Sequence, residues 1–268
     1  MANSAVARMI FALMLCWPML APAAAPGPSH EATLPGPLQH LGRKLGLTVV
    51  KTFQTDAPGV TGFVVKESGG HYGVIYTYKD FLISGALLNA EGKNLTDKYA
   101  DQYIPKPDYA AVVKALAGSP GLVSEGKAGA PEIYVFADPN CYYCRKLWEL
   151  TRKWVADGKV RIHWVLVGFL KASSAARAAA ILAAKDGAKA LTEDEDLFNL
   201  KHEEGGIAEL KPIPEKYKRI LAKHLAYMKQ LRFQGTPGVV FKDVDGHWQG
   251  IPGVPPMDKF AKALGIAH

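Results

Sequence analysis

Cysteine is scarce in this chain. Its 268 residues hold three, Cys16, Cys141 and Cys144. That excludes a framework of disulfides tying distant segments, because Cys141 and Cys144 lie only three positions apart and a bridge closing so short a loop stabilises little. A structural zinc site is disfavoured too: it needs four ligands, and there is no second CxxC and no histidine following at ligand spacing. A c-type haem needs histidine directly after the second cysteine, where this chain has Arg145. Apolar runs long enough to span a membrane are missing outside the N-terminus. Lysine and arginine exceed aspartate and glutamate, 32 to 25, giving a formal charge of +7. The basic residues are scattered rather than interleaved with aromatics, so nucleic-acid binding is not indicated. The excess still favours acidic client surfaces. There is no internal repeat.

The N-terminus reads as a secretory signal spanning residues 1–23. Arg8 supplies the positive start, Met9 to Leu20 the apolar stretch, and Ala21-Pro22-Ala23 a small-x-small cleavage site. Pro18 and the shortness of the apolar stretch argue against a membrane span. Leu13-Met14-Leu15 before Cys16 lacks the small residues of a lipoprotein site. Cleavage leaves 268 − 23 = 245 residues with two cysteines and a charge of about +6, since Arg8 is lost. A hydrophobic content of 49% against 21% charged describes a core-forming chain. The N-terminal segment marks the chain for export.

The first domain is expected over residues 24–104 as a small α+β unit. Leu38, Leu41 and Leu45 recur at helical spacing and Gly46 stops that helix. Strand-like runs follow at Leu47–Phe53, Val60–Lys66, His71–Tyr78 and Phe81–Leu88, separated by turn residues such as Asp56-Ala57-Pro58-Gly59 and Ser68-Gly69-Gly70. The unit carries no cysteine and no catalytic cluster. Its histidines, His40 and His71, read as ordinary surface residues. Such a sheet has open edges that a second copy can cap, so it reads as an assembly module. Residues 105–130 read as a linker helix and hinge: Pro105-Lys106-Pro107, then a stripe of Tyr109, Val112, Val113 and Leu116, then a small, flexible stretch from Ser124 to Pro131.

The second domain is expected over 131–268. Ile133–Phe136 reads as a buried strand leading through Ala137-Asp138-Pro139-Asn140 into Cys141-Tyr142-Tyr143-Cys144 at a helix start. Backbone N–H groups at a helix start are unpaired and carry partial positive charge, which stabilises a thiolate. Cys141 is therefore the attacking sulfur, and Cys144, one turn on and inward, the resolving one. An inert surface disulfide does not call for that setting. Cys144, Trp148, Thr151 and Val155 form one inward stripe. Val160 to Leu166 alternates as a second strand, parallel to the first because a helix connects them. Residues 173–231 read as an all-helical insertion: an Ala-rich helix over Ser173–Ala190, an acidic run Glu193–Asp196 as a solvated face or helix start, and a helix over Pro214–Gln230 with Ile220, Leu221, Leu225 and Met228 inward. Val239–Phe241, a turn at Asp245-Gly246, a strand at His247–Ile251 and a helix over Met257–Leu264 end the chain. This is the thioredoxin architecture with a helical insert.

Thr236-Pro237 precedes the strand Val239–Phe241. Spacing alone leaves a trans-proline loop open. In the thioredoxin architecture this position holds a cis-proline facing the CxxC, whose preceding backbone accepts an extended substrate. Thr236 there can add a hydroxyl beside the Cys141 sulfur.

These residues carry a resemblance. Val50-Lys51-Thr52-Phe53, Ala57-Pro58-Gly59 and Ile83-Ser84-Gly85 in the first part are similar to the DsbC/DsbG family of exported thiol:disulfide interchange proteins. So are Val135-Phe136-Ala137-Asp138-Pro139, the stretch Trp154 to Val160, Leu166-Val167-Gly168, the stretch Ala178 to Asp186, and Thr236-Pro237 in the second. The resemblance implies a cystatin-like dimerisation domain, a V-shaped homodimer, a dithiol kept reduced by a DsbD-like membrane reductant, and no cofactor or metal. It also implies clients bearing disulfides or oxidised cysteines, and a role in isomerising disulfides or reducing cysteine sulfenic acids. A DsbA-like oxidase and a chaperone with incidental cysteines are the alternatives. The first domain argues against the former, which needs no assembly module. Tyr142-Tyr143 departs from the family's usual Pro-Tyr, and that dipeptide bears on thiolate stability and substrate contact.

Overall fold

The computed structural model describes residues 36–266, so the segment read as a signal lies outside them. The described residues divide into two compact units after Ile104. No helix among them is long and apolar enough to cross a membrane.

The first unit opens with α1 (Gly36–Leu45) and continues into a four-stranded antiparallel meander, β1 (Leu47–Gln54), β2 (Val60–Glu67), β3 (Tyr72–Tyr78) and β4 (Phe81–Ser84), in spatial order 1-2-3-4. β4 is shorter than the strand read from the sequence. Beyond it the chain turns into α2 (Leu95–Tyr103), a helix the sequence reading did not place. Its local signal is Asn94, whose side chain accepts the N–H groups of Thr96 and Asp97 and so satisfies two of the unpaired donors at a helix start. α2 covers one sheet face, where Leu95 and Tyr99 pack with Phe53, Val64 and Tyr76. Val49, Phe63, Val65 and Ile75 are buried on the other face.

The second unit is built on a five-stranded sheet of order β5-β7-β6-β8-β9. β6 (Glu132–Ala137) and β7 (Arg161–Leu166) are parallel, joined by α4 (Tyr142–Ala156). β8 (Gly238–Lys242) pairs antiparallel with β6, and β9 (Trp248–Pro252) with β8. The central strands are buried except at one terminal residue each, Glu132, Arg161 and Lys242, as a sheet covered on both faces requires. α8 (Met257–Ala263) puts Phe260 against Phe241.

The structure departs from the sequence reading over 105–130. The expected linker helix is α3 (Tyr109–Ala117), and it belongs to the second unit. Val112, Val113 and Leu116 are buried with Tyr134, Phe136, Val165 and Val240 on one face of the sheet. Tyr109 fixes the helix further: a Cβ on Gly250 would lie 2.3 Å from its ring, so glycine is needed there for the contact. The expected flexible stretch instead begins inside β5 (Leu122–Gly126), an edge strand antiparallel to β7. Its polar residues conceal it. Ser124 meets His163 Nδ1 at 2.7 Å, and Glu125 pairs with Arg152.

The insertion comprises α5 (Ser174–Ala183), α6 (Gly187–Asp196) and α7 (Glu215–Gln230). The single Ala-rich helix expected over 173–190 is thus two, split where Asp186 caps α6 by accepting the Lys189 N–H at 3.0 Å. The acidic run is not a helix start, and only Glu193 and Asp196 of it are exposed. It ends α6, and Asp194 and Glu195 are buried there. Ile220 and Leu225, expected inward on α7, are only half-buried, whereas His224 is buried. His224 Nδ1–H donates to the Leu166 carbonyl at 2.8 Å and ties α7 to the end of β7.

Candidate active site: the Cys141–Cys144 dithiol

β6 ends at Ala137, and the next three residues are held by buried polar contacts rather than by the sheet. Asp138 is buried, with no ion pair to a cation among the described residues. Its carboxylate instead accepts four hydrogen bonds, from the Asn140 N–H (3.0 Å), the Ser174 hydroxyl (2.6 Å) and the N–H groups of Phe169 (2.8 Å) and Leu170 (3.0 Å). A buried carboxylate is tolerated when its lone pairs are met this fully. Asn140 is equally engaged: its amide donates to Ser173 and Ser174 Oγ, both at 2.9 Å, and its carbonyl accepts the Gly205 N–H at 2.9 Å. Three segments that are distant in sequence are thereby locked around the residue preceding the first cysteine.

Cys141 is the N-cap of α4. Its backbone is extended, and its sulfur accepts the Cys144 N–H at 3.2 Å. The sulfur thus occupies the place a serine or aspartate oxygen takes at other helix starts. On its other side the Cys141 thiol donates to the Thr236 carbonyl at 3.3 Å. The Thr236–Pro237 bond is cis. The Cys141 thiol titrates below the usual cysteine range, chiefly because the Cys144 thiol donates to it. Thr236 and the Cys144 backbone N–H add to the effect, against the opposing pull of burial and of the Asp138 charge. Cys144 is 0% exposed, and burial drives its thiol well above the ordinary range. The Thr236 hydroxyl is buried without a hydrogen-bond partner in this dithiol state, so it is free to donate to whichever sulfur carries charge. Two thiols of one chain are therefore driven apart in acidity. The nearly buried Cys141 is the readier to ionise, and the fully buried Cys144 is held protonated.

The sequence-read residues accordingly occupy one place: Cys141, Cys144, Thr236 and Pro237 meet at the end of the sheet. Tyr142 and Tyr143 stand exposed beside them, edge to face with ring centroids 5.3 Å apart. Sequence reasoning assigned no role to Asp138, Asn140, Ser174 or Gly205. Nor did it single out Arg145, whose guanidinium lies over the Phe198 ring at 5.9 Å. Glu195 of α6 is also buried, and burial pushes its carboxyl well above the usual range.

Residues 122–267 match the family described as a thioredoxin-like domain. The thiol:disulfide interchange protein DsbG of Pseudomonas aeruginosa is 31% identical over 239 residues, covering 87% of this chain and 89% of that protein. DsbG of Escherichia coli is 34% identical over 241 residues, covering 87% and 92%. Among solved structures, Proteus mirabilis ScsC in a compact conformation aligns with a TM-score of 0.47 at 20% identity, over 64% of this chain and 85% of that one. Relatives matched over nearly their whole length leave one placement: the chain belongs to the DsbG family of thiol:disulfide interchange proteins.

Proposed function

We propose that the chain is a periplasmic, dimeric disulfide isomerase and cysteine sulfenic-acid reductase, in which Cys141 attacks and Cys144 resolves. The observation that carries this is the split between the two thiols: the outer one ionises readily at a helix start, and the inner one is fully buried with a raised pKa. A Cys141 thiolate attacks one sulfur of a client disulfide, forms the Cys141–client bond and expels the client's other sulfur as thiolate. If another client thiolate attacks the bridged client sulfur, a new client disulfide forms and Cys141 leaves as thiolate, with no net redox change. If instead Cys144 gives up its proton and attacks Cys141, the client leaves reduced by two electrons and the Cys141–Cys144 disulfide remains. With a client sulfenic acid, the thiolate displaces hydroxide, which takes a proton and leaves as water, and Cys144 resolves the same mixed disulfide. Resetting the dithiol needs a two-electron reductant, for which a DsbD-like membrane protein is the family's partner.

Thr236 and Pro237 would present extended backbone to the client while the Thr236 hydroxyl steadies the sulfur charge. Tyr142 and Tyr143 would meet client side chains. Dimerisation through the first unit is supported by β4. Among the described residues it is paired on one side only, and its Phe81 is 68% and its Ile83 38% exposed. An open apolar edge is what a second copy would cover.

Trapping in the export compartment tests the mechanism. Cys144→Ala should accumulate client proteins disulfide-linked to Cys141, released by dithiol reductant, and Cys141→Ala should accumulate none. Equal trapping by both variants would sink the assignment of roles.

A further inference from the structure

Eight large apolar residues after Pro105 are exposed, and six of them lie on three segments around Cys141: Tyr142, Tyr143, Phe169, Leu170, Leu197 and Leu200. This concentration does not follow from the fold. Scattered exposed apolar residues are normal, whereas a group beside a reactive group marks a contact surface. The three segments are also fixed to one another. The N–H groups of Phe169 and Leu170 are bound by Asp138, three residues before Cys141. Asn199 and Glu204 close the turn that carries Leu200 by two backbone hydrogen bonds, of 2.7 and 3.2 Å, and the following Gly205 is bound by Asn140. Lys171 Nζ donates to the His202 carbonyl, joining the second segment to the third. Leu197 is held by its neighbour: a Cβ on Gly206 would lie 2.2 Å from the Leu197 Cβ. The side chains thus stand on backbone that the cysteine loop itself positions.

Charge borders the group on one side. Neither Lys171 nor Lys201 has a carboxylate partner among the described residues, whereas Arg145 and Lys146 share Glu149.

We propose that these six side chains form a docking ledge for an extended client segment whose target cysteine is flanked by large apolar residues and, further out, by acidic ones. The proposal rests on the thiol-exchange function above and names the class of client it would prefer. Such a segment buries apolar surface on the ledge, meets Lys171 and Lys201 with its acidic flank, and is held while its sulfur faces Cys141. A small disulfide has nothing to place on the ledge and should ignore it.

The test uses the full-length reduced protein and three disulfides: a peptide with Leu and Phe beside its cysteine and acidic flanks, the same peptide with Ser at the apolar positions, and glutathione disulfide. The readout is the rate of mixed-disulfide formation at Cys141. The wild type should prefer the apolar peptide to the Ser peptide by about tenfold, and Leu197→Ser/Leu200→Ser should remove about that factor while leaving glutathione disulfide unchanged. Both leucines are exposed and serine keeps the Cβ, so the fold should be retained. Leu170→Ser, on the second segment, should give the same selective loss and stands in for the double variant if that one melts early. Unchanged discrimination in both variants overturns the ledge. An equal slowing with all three disulfides overturns it as well, because it would trace the change to the thiol. Failure of the wild type to react with any of the three overturns the thiol-exchange reading beneath it.

Discussion

The dithiol was legible at the residue scale because its chemistry is local: a spacing of three places both sulfurs on the first turn of a helix, and the helix start does the rest. The groups that position it were not legible. Asn140 and Gly205 are 65 residues apart, and Asp138 and Ser174 are 36 apart, so no spacing rule could join them. The acidic run was misread for the same reason. Asp194 is buried because the loop after α6 folds back over it, its Oδ1 accepting the Ile207 N–H at 3.1 Å and its carbonyl the Gly206 N–H at 2.9 Å. Burial raises its carboxyl to about 7 from the usual 3.8, against the attraction of Arg177. A raised acid stabilises the fold when protonated, so its contribution is whole below about pH 4 and is lost as pH climbs toward 7. Asp194→Asn keeps an acceptor for Ile207 but cannot ionise. It should match the wild type near pH 4 and exceed it by about 1–4 kcal/mol near pH 8, as measured by denaturant unfolding of the reduced protein. A constant difference across that range would show that Asp194 does not titrate there.

At the scale of elements, periodicity found the helices but not their allegiance. Val112, Val113 and Leu116 give the same stripe whether α3 bridges two domains or covers a sheet, and only the packing against Tyr134 and Phe136 decides between them. β5 escaped notice because Ser124 and Glu125 break its apolar pattern while serving as partners for His163 and Arg152. The two assignments of α3 differ in cost. Truncating a linker residue is nearly free, whereas Leu116 is completely buried. Leu116→Ala should therefore lower the unfolding free energy by about 2–5 kcal/mol. Thermal unfolding of the reduced protein measures it, and a loss below about 0.5 kcal/mol would return α3 to the role of a tether.

For the whole molecule, the division into two parts was legible in the sequence. The sequence reading began the second part too late, at 131. The second unit begins at Pro105, so a fragment cut at Ser124 would lose α3 and the start of β5. Cut at Pro105, the fragment should keep its sheet covered and run as a monomer in light scattering, while the full mature chain runs as a dimer. A dimeric fragment would move the self-association surface out of the first unit.

The burial of Cys144 behind Cys141 has a further consequence, for damage rather than for turnover. Peroxide oxidises thiolates it can reach. Here one sulfur is the more acidic and keeps a small exposure of 5%, and the other is fully sealed and held protonated. A sulfenic acid formed on Cys141 lies one helical turn from a thiol that can condense with it, expelling water to give the ordinary disulfide. The same depth that keeps clients off the inner sulfur also makes it a reserve against irreversible oxidation of the outer one.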